Sequence, residues 1–192
     1  DVVAAASVPE VAATVYANFF FDNRVKPGDV VLIHGGSGGI GTMAIQLLSA
    51  LQCTVIVTVS SAEKAAYALN LGAHHVINYE RQDFLDQVRK ITAGEGVDFI
   101  LDVVGGKYLD KNVKSLAIGG TIITIGLQGG AKGEINLAQM VSKRAILRGS
   151  ALRPRSVKTK SQIMGELYRN VWPLISSGYV TSHLDRIFDF DD

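Results

Sequence analysis

Residues 34–41, HGGSGGIG, form the stretch of this sequence with the clearest potential for chemistry. They stand between an apolar run, VVLI, and a periodic apolar run, TMAIQLLSAL. Glycines in such a strand-to-helix turn let backbone amides approach a phosphate, and a helix N-terminus attracts the anion. The spacing G-x-G-x-x-G favours a dinucleotide pyrophosphate as the ligand. The candidate contact residues are Gly36, Ser37, Gly38, Gly39, Ile40 and Gly41.

Two other phosphate motifs overlap the same glycines and can be tested against the sequence. A P-loop requires Lys followed by Ser or Thr after its last glycine, whereas Thr-Met follows here. The G-x-x-x-G-x-G pattern of short-chain dehydrogenases also fits, but those enzymes need a Tyr-x-x-x-Lys pair. Tyr108 is followed at the fourth place by Asn112, with Lys111 one position short. The dinucleotide interpretation is therefore favoured, with a purely structural turn as the alternative.

The residues about 20 positions beyond the glycines predict which dinucleotide binds. An NAD site usually offers Asp or Glu there to the ribose 2′-hydroxyl, but this sequence has Ser60, Ser61 and then Lys64. A carboxylate would repel a 2′-phosphate, whereas hydroxyls, helix N-terminal amides and an ammonium group would stabilise it. We therefore expect NADP(H) in preference to NAD(H). The alternative is that Ser61 only caps a helix and that Lys64 is solvated.

Composition and charge narrow the classes of function. The 192 residues carry 19 basic and 18 acidic side chains, a balance that predicts neither nucleic acid nor an anionic membrane as partner. We expect no apolar run near the roughly 18 residues of a membrane span. The single cysteine, Cys53, excludes an internal disulfide and favours a reducing, cytoplasmic setting. His74 and His75 would face opposite sides of a strand, and we predict no metal site.

Short β-branched runs alternate along the chain with amphipathic helical patterns. This alternation predicts a parallel sheet with helices on both faces. The expected strands are 30–34, 54–59, 75–78, 99–103, 121–125 and 145–150. We predict one α/β domain over residues 1–192, with a Rossmann-type doubly wound six-stranded parallel sheet. Its ligand crevice should lie at the carboxyl ends of the strands, where the glycine-rich stretch falls.

Two helices at the ends of this pattern have specific expected features. A leading helix is expected over residues 8–22, with the hydroxyl of Ser7 as its N-cap. A final helix is expected from about residue 160 to 176, with Met164 facing the core. Pro173 should kink that helix locally, because proline cannot donate an intrahelical hydrogen bond.

Five blocks of the sequence together carry a family resemblance. They are VPEVAATVYANFF, VKPGDVVLIHGGSGGIGTMAIQLLSALQCTVIVTVSSAEK, LGAHHVINYERQDF, GEGVDFILDVVGG and LRGSALRPR. In order and spacing they resemble the zinc-independent quinone oxidoreductases, the zeta-crystallin-like branch of the medium-chain dehydrogenase/reductase superfamily. The resemblance implies a two-domain enzyme that transfers hydride from NADPH to a quinone or similar activated alkene. It also implies that the GroES-like catalytic domain is missing from this chain, in keeping with the Asp1 start and the strand-like ending IFDFDD.

The same resemblance implies roles for residues after the later strands. Tyr79 would lie beside the 2′-phosphate end of the adenosine. The segments after strands four and five would border the ribose and nicotinamide, and their candidate residues are Val104, Gly105, Gly126 and Leu127. As an alternative, those glycines only turn the chain. Asp102 is expected to satisfy neighbouring amides, and no residue of this chain is identified as catalytic.

The sequence is also compatible with two other functions, and it predicts an assembly. An enoyl-thioester reductase of the same superfamily would share this cofactor domain. A non-catalytic nucleotide-binding or structural module is the alternative from a different class. The resemblance further implies a homodimer through the edge strand, 145–150, while Arg153 and Arg155 would contact cofactor, protect that edge or border the dimer contact.

Overall fold

The computed structural model describes residues 2–189 and 191. Within them, six strands form one parallel sheet in the order β3-β2-β1-β4-β5-β6. The strands are β1 (Val30–His34), β2 (Thr54–Val59), β3 (His75–Asn78), β4 (Val97–Asp102), β5 (Leu116–Thr124) and β6 (Ile146–Gly149). This order is that of a doubly wound dinucleotide-binding sheet, with its switch point between β1 and β4. The predicted fold class is confirmed.

The central strands are buried because their sequences are continuous runs of apolar and β-branched residues. Leu32 on β1, Ile56 on β2 and Ile100 on β4 are fully buried. β1 pairs with β2 on one side and with β4 on the other. The carboxyl ends of these strands therefore meet at one edge of the sheet, and the residues that follow them are brought together there.

Helices cover both faces of the sheet. They are α1 (Val2–Ala6), α2 (Pro9–Tyr16), α3 (Gly39–Ala50), α4 (Ala62–Asn70), α5 (Phe84–Ile91), α6 (Leu109–Ser115), α7 (Leu137–Lys143), α8 (Val157–Asn170) and α9 (Trp172–Ser176), with a π-helical turn at Ala17–Phe21 and a 3₁₀ turn at Gly106–Tyr108. Side-chain oxygens of Ser61, Asp83, Asn136 and Ser156 accept backbone N–H groups where α4, α5, α7 and α8 begin. These caps fix where four of the helices start.

The leading helix departs from the continuous helix expected over residues 8–22. α2 begins at Pro9, and its last turn is π-helical rather than α-helical over Ala17–Phe21. The Ser7 hydroxyl donates to the carbonyl of Ala4 at 2.9 Å and does not cap α2, so the expected cap is wrong. Proline at the first helical position needs no capping partner of its own, which explains why α2 starts there without the Ser7 hydroxyl.

The N-terminal helical stretch Val2–Phe21 is long and apolar. It spans 20 residues with a mean hydropathy of 1.3, enough to cross a membrane by length and composition alone. The expectation that no such run exists is wrong on that criterion. Half of the stretch is buried inside the fold, and Val15 and Phe19 are fully buried in the core, as in the core helix of a globular protein.

β4 and β5 begin earlier than their sequence patterns predicted. β4 starts at Val97 rather than residue 99, and β5 starts at Leu116 rather than residue 121. Val97 pairs with Leu116, and the register then shifts before Phe99. Gly119, at φ +82°, provides the irregularity that lengthens β5, and a glycine pair is indistinguishable from a turn in sequence.

The expected final helix is two helices, and the strand expected at the C-terminus is absent from residues 187–189. α8 ends at Asn170, and Pro173 lies in the first turn of α9, where proline is tolerated. The sequence predicted a kink within one helix, whereas the structure has a break between two helices at this point. Met164 is 42% exposed, contrary to its expected inward position. Residues 187–189 are irregular; the remainder of that expected strand, at Phe190 and Asp192, and the opening Asp1 lie outside the described residues.

Candidate functional site

The glycine loop between β1 and α3 is packed too closely for side chains at two positions. A Cβ on Gly36 would lie 2.8 Å from the Cβ of Val57 on β2, and one on Gly41 would lie 2.3 Å from the carbonyl oxygen of Gly35. Gly35 itself has φ +78°, so the sharp turn occurs one residue before the G-x-G-x-x-G motif. These contacts hold the first turn of α3 against the ends of β1 and β2.

The start of α3 leaves backbone N–H groups without intrahelical partners. Its N-cap is Gly38, which has no side chain that could cap the helix. The first intrahelical bond runs from the Thr42 N–H to the Gly38 carbonyl at 2.8 Å. The amides that precede it are those of Gly39, Ile40 and Gly41, with Ser37 in the turn just before them. Such a helix end can hold a phosphate through its N–H groups and its dipole.

Ser60, Ser61 and Lys64 come together where β2 ends. The Ser61 hydroxyl oxygen accepts the Lys64 N–H at 3.2 Å as the N-cap of α4, so the expected cap is confirmed. The Lys64 ammonium donates to the Ser60 hydroxyl oxygen at 3.2 Å. Both contacts are exposed to solvent. An ammonium group, a hydroxyl and a helix N-terminus thus lie side by side, a set that can bind a phosphate.

Two adjoining cavities form what we call the aromatic groove, defined by Tyr79, Phe84, Lys107 and Tyr108. Their volumes are about 500 and 230 Å³, and both are lined by Tyr79, Lys107 and Tyr108. Phe84 lines the larger cavity. The smaller cavity reaches the glycine loop at Gly35. The groove therefore runs from the end of β3 to the start of the glycine loop.

Sequence reasoning did not select Phe84, Lys107 and Tyr108 as site residues. Lys107 and Tyr108 directly follow the Gly105-Gly106 pair at the end of β4, which is where the crevice of a parallel sheet lies. This position at the end of β4 was the feature of the sequence that could have identified Lys107 and Tyr108 as site residues. No comparable feature of the sequence marked Phe84, because an aromatic residue at the start of an amphipathic helix predicts core packing. Its ring meets that of Tyr108 at a centroid distance of 4.8 Å.

A buried polar network lies beneath the aromatic groove. The two ring nitrogens of His34 are hydrogen-bonded to Thr58 Oγ1 at 3.0 Å and to Asn112 Oδ1 at 2.8 Å. The same ring meets the rings of Phe84 and Tyr108 edge-on, each at 4.9 Å. Burial lowers the pKa of His34 below its usual value of 6.5, because the charged imidazolium would lose its solvation. A neutral His34, directly before the glycine loop, therefore contacts both Phe84 and Tyr108 in the walls of the aromatic groove.

Asp102 organises the loops that follow β4 and β5. One of its carboxylate oxygens accepts the N–H groups of Val104 at 2.8 Å and Gly105 at 3.0 Å. Its carbonyl accepts the N–H of Ile125 at 2.9 Å and that of Gly126 at 3.4 Å. The expectation that Asp102 satisfies neighbouring amides is confirmed. These bonds place Val104 and Gly105 beside the start of the loop that contains Gly126.

The remaining predicted residues differ in their relation to the cavities. Tyr79 and Val104 line the aromatic groove, whereas Gly126 and Leu127 line none of the three cavities described in this section. A Cβ on Gly126 would lie 2.8 Å from the carbonyl oxygen of Val103. Gly126 therefore serves close packing between the two loops, and Leu127, 56% exposed, extends from the surface next to it.

A third cavity, of about 410 Å³, lies on the other side of the glycine loop. Its lining includes Ile40 at the start of α3, Ile125 after β5 and Ser150 after β6. One wall is a row of polar side chains from the leading helix, namely Glu10, Thr14 and Asn18. We call this space the polar-row cavity. It occupies the half of the crevice over β5 and β6, opposite to Ser60 and Lys64.

Arg155 braces the polar-row cavity from outside. Its guanidinium donates to both carboxylate oxygens of Asp22 and to the hydroxyl oxygen of Ser150. The side chains of the pair are only 17% and 16% exposed. Arg155 thus links the π-helical turn to the loop after β6 and is occupied there, whereas Arg153 lines the cavity itself.

The described part of the chain contains no cluster of three or more His, Cys, Asp or Glu side chains that could hold a metal ion. His74 Nδ1 accepts the backbone N–H of Val55 at 3.1 Å. Cys53 is buried, and burial raises the pKa of its thiol to about 11. Such a thiol is a packing group rather than a nucleophile.

Comparison with known proteins agrees with this geometry. Residues 39–167 match the family model described as zinc-binding dehydrogenase. A 2-haloacrylate reductase from Burkholderia sp. is 42% identical over 125 residues, which is 65% of this chain and 38% of that protein. The quinone oxidoreductase of Rattus norvegicus is 31% identical over 165 residues, covering 83% of this chain and 50% of the relative. The chain thus spans half or less of these relatives' lengths.

Solved structures share the fold. The crystal structure of Escherichia coli quinone oxidoreductase complexed with NADPH superposes with a TM-score of 0.82 at 29% identity. The match covers 94% of this chain and 55% of that chain. The predicted resemblance to quinone oxidoreductases is confirmed in sequence and in fold.

Proposed function

This chain belongs to the zinc-binding dehydrogenase family, and from that membership we propose that it is the NADP(H)-binding domain of an oxidoreductase. The proposed reaction is hydride transfer from NADPH to a quinone or similar activated alkene. We further propose that the protein acts without zinc. The 192 residues would supply the cofactor half of a two-domain enzyme, since they cover about half of its relatives.

The observation that carries the cofactor assignment is the uncapped start of α3 beside the Ser60–Lys64 pair. The glycine loop has no room for a Cβ at Gly36 or Gly41, and the free amides at the helix start fit a pyrophosphate. Ser60 and Lys64 supply a hydroxyl and an ammonium group at that strand end, where positions 60 and 61 are serines rather than an acidic residue and the nearest carboxylate is that of Glu63 in the first turn of α4. This arrangement fits a 2′-phosphate better than a ribose 2′-hydroxyl.

The other residues of the chain would bind and orient the two ends of the cofactor. The aromatic groove, with Tyr79 and Tyr108 in its walls, would receive the adenosine, and Val104 and Gly105 would border the central ribose. The polar-row cavity would receive the nicotinamide half, with Gly126 and Leu127 beyond it. When bound, the cofactor supplies the hydride. The protein would contribute fixed geometry, with the apolar side chains of Ile40 and Ile125 in the cavity lining.

The identity of the acceptor is the finer part of the proposal. We favour a quinone or enone because several relatives are quinone oxidoreductases. The 42% identical 2-haloacrylate reductase supports an activated alkene acid as the second candidate. The two acceptors differ in charge, so a longer protein that carries this chain would be assayed with 9,10-phenanthrenequinone, 2-chloroacrylate and a crotonyl thioester. Exclusive turnover of the thioester would overturn both.

Two expectations about setting and assembly belong to the same proposal. β6 is an edge strand whose four residues are all exposed, which suits strand pairing between two copies of the chain. We propose a homodimer formed through this edge and a cytoplasmic location, with no nucleic acid or membrane partner. Sedimentation of the chain at several concentrations would test the dimer, and a monomer throughout would contradict it.

The experiment that tests the cofactor assignment is a titration of this chain with NADPH and NADH, followed by nicotinamide fluorescence. We expect NADPH to bind at least about tenfold more tightly, equivalent to about 1.4 kcal/mol. Lys64→Ala should weaken NADPH binding by a similar factor and leave NADH binding unchanged. Lys90→Ala, at an exposed lysine of α5, is the matched control and should change neither. Equal affinities for the two cofactors, or tighter NADH binding, would overturn the assignment.

A further inference from the structure

The leading helix carries a single polar row on an otherwise apolar surface. Glu10, Thr14 and Asn18 follow one another at intervals of four residues, so they share one face of the helix. All three line the polar-row cavity. The Thr14 hydroxyl donates to the Glu10 carboxylate at 3.1 Å. The Asn18 amide nitrogen donates to the Thr14 carbonyl oxygen at 2.8 Å.

Asn18 is distinguished within this row because one polar atom of its side chain has no hydrogen-bond partner in the part of the chain that the structure describes. The residue is only 2% exposed, and its Oδ1 has no hydrogen-bond partner among the described residues. An unsatisfied buried acceptor destabilises the fold, and a leucine of similar size at this position would avoid that cost. Three other buried side-chain atoms lack a partner among the described residues, namely Asp102 Oδ2, Asn112 Nδ2 and Gln139 Oε1. Of the four residues, Asn18 alone lines one of the three cavities, where a ligand could supply the partner.

A second observation marks the same place. The helix changes from α-helical to π-helical hydrogen bonding at Ala17–Phe21, the turn that contains Asn18. π-helical turns are rare, cost stability and occur frequently at functional sites. The turn is held at its end by the ion pair between Asp22 and Arg155. Both the backbone geometry and the leftover acceptor therefore point to a function at Asn18.

The ligand chemistry follows from the position of the cavity and from the hydrogen bond it lacks. A dinucleotide lies across the switch point with one half on each side. With the 2′-phosphate at Ser60 and Lys64, the nicotinamide half falls over β5 and β6, at the polar-row cavity. Asn18 Oδ1 needs a donor. The nicotinamide ring carries one such group, the carboxamide NH₂, whereas the carbonyl oxygens of a quinone or an enone only accept hydrogen bonds.

We infer that Asn18 is a positioning residue for the cofactor, whose side-chain oxygen accepts a hydrogen bond from the carboxamide NH₂ of nicotinamide. This inference rests on the proposed function and names a contact within it. The bond would fix which way the carboxamide turns and hence the orientation of the ring in the cavity.

The test compares three ligands on the same chain: NADPH, its reduced 3-acetylpyridine analogue and 2′-phospho-ADP-ribose. The analogue replaces the carboxamide NH₂ with a methyl group, and 2′-phospho-ADP-ribose lacks the ring. We expect the unaltered chain to bind NADPH about five- to tenfold more tightly than the analogue. Asn18→Leu should reduce that preference to less than about twofold and leave the affinity for 2′-phospho-ADP-ribose unchanged. Asn170→Leu, the same substitution outside the cavity, should keep the full preference.

The outcomes separate this inference from the proposed function. If the unaltered chain binds NADPH and its analogue equally, or if Asn18→Leu keeps the preference, the inference is wrong and the NADP(H) assignment stands. If neither NADPH nor 2′-phospho-ADP-ribose binds, the proposed function itself fails. The comparison of ligands on the unaltered chain decides the question even if Asn18→Leu does not fold.

Discussion

The two halves of the crevice differ in the elements that build them and in which of their unpartnered polar atoms belong to a cavity-lining residue. Beneath the aromatic groove, both ring nitrogens of His34 have partners, while Asn112 Nδ2 and Asp102 Oδ2 have none among the described residues and belong to side chains outside the lining of the three cavities. In the polar-row cavity, Asn18 retains an acceptor with no partner among the described residues. The first half is positioned by strand ends and the loops that follow them. The second depends on a helix that precedes the sheet, and its unpartnered acceptor belongs to a residue that lines the cavity.

The largest effect should come from the glycine loop, which lies between the two halves. In Gly41→Ala, the new Cβ would lie 2.3 Å from the Gly35 carbonyl oxygen and 2.9 Å from Gly36 Cα. Backbone on both sides must move, so we expect a loss of about 3 kcal/mol in the free energy of unfolding. NADPH affinity should fall by more than about tenfold. Urea unfolding and fluorescence titration would measure the two effects.

Gly165→Ala provides the matched control for that substitution, because Gly165 is also a helical glycine. Its added Cβ would meet only the flexible end of Arg169, at 3.6 Å. Alanine favours the helix by about 1 kcal/mol over glycine, so this variant should be more stable and bind NADPH normally. Equal behaviour of the two variants would show that the loop is not held by the close contact at Gly41.

The second-largest effect should be a loss of stability without a loss of binding at the adenosine end of the cofactor. Arg155→Met leaves the Asp22 carboxylate largely buried without its cation, so we expect a loss of about 2–3 kcal/mol in the free energy of unfolding. The aromatic groove lies on the other side of the glycine loop and should keep its affinity for 2′,5′-ADP. Arg153→Met, beside it in sequence, should cost little. A loss of 2′,5′-ADP binding in Arg155→Met would contradict the independence of the two halves.

Much of the sheet could be predicted from sequence, because β1, β2 and β3 are short β-branched runs with clear boundaries. β5 could not, since the glycine pair at Gly119 and Gly120 interrupts its pattern although the chain continues in the sheet. The π-helical turn was also unpredictable, because it has the same apolar composition as the α-helix before it. Hydrophobic periodicity predicts that a helix exists and says nothing of which backbone hydrogen bonds it makes.

The candidate site divides in the same way. The glycine loop, Ser60, Ser61 and Lys64 could be found because their order and spacing express a known backbone requirement. His34 and Asn18 could not. His34 is an isolated polar residue in an apolar stretch, and the four-residue spacing of Glu10, Thr14 and Asn18 predicts a shared helix face but not what that face meets. Only the fold brings His34 to Asn112 and Asn18 to the polar-row cavity. Their roles depend on contacts between residues far apart in sequence, which no local pattern records.

The smallest effect should be a pH dependence from His34. Its pKa is lower in the folded chain than the ordinary 6.5, so the unfolded chain takes up the proton first as pH falls. The stability contributed by neutral His34 is therefore full above about pH 6.5 and is lost as pH falls toward the lowered pKa. His34→Gln should flatten the decline in unfolding free energy between pH 7 and 5.

His183 is the control for the pH experiment. Burial also lowers its pKa, but its only hydrogen bond among the described residues is an exposed one to Thr181, so His183→Gln should flatten the decline less. If His34→Gln leaves the pH dependence unchanged while His183→Gln removes it, the buried network beneath the aromatic groove is not the source. Urea unfolding at several pH values would decide.

The most direct test of the account is to measure the two halves of the cofactor separately. Calorimetric titration of the chain with 2′,5′-ADP, 5′-AMP and reduced nicotinamide mononucleotide requires no variant. We predict that 2′,5′-ADP binds at least about tenfold more tightly than 5′-AMP, and that the nicotinamide half alone binds most weakly. Equal binding of 2′,5′-ADP and 5′-AMP, or tightest binding of the nicotinamide half, would contradict an NADP(H) domain whose adenosine end is complete within this chain.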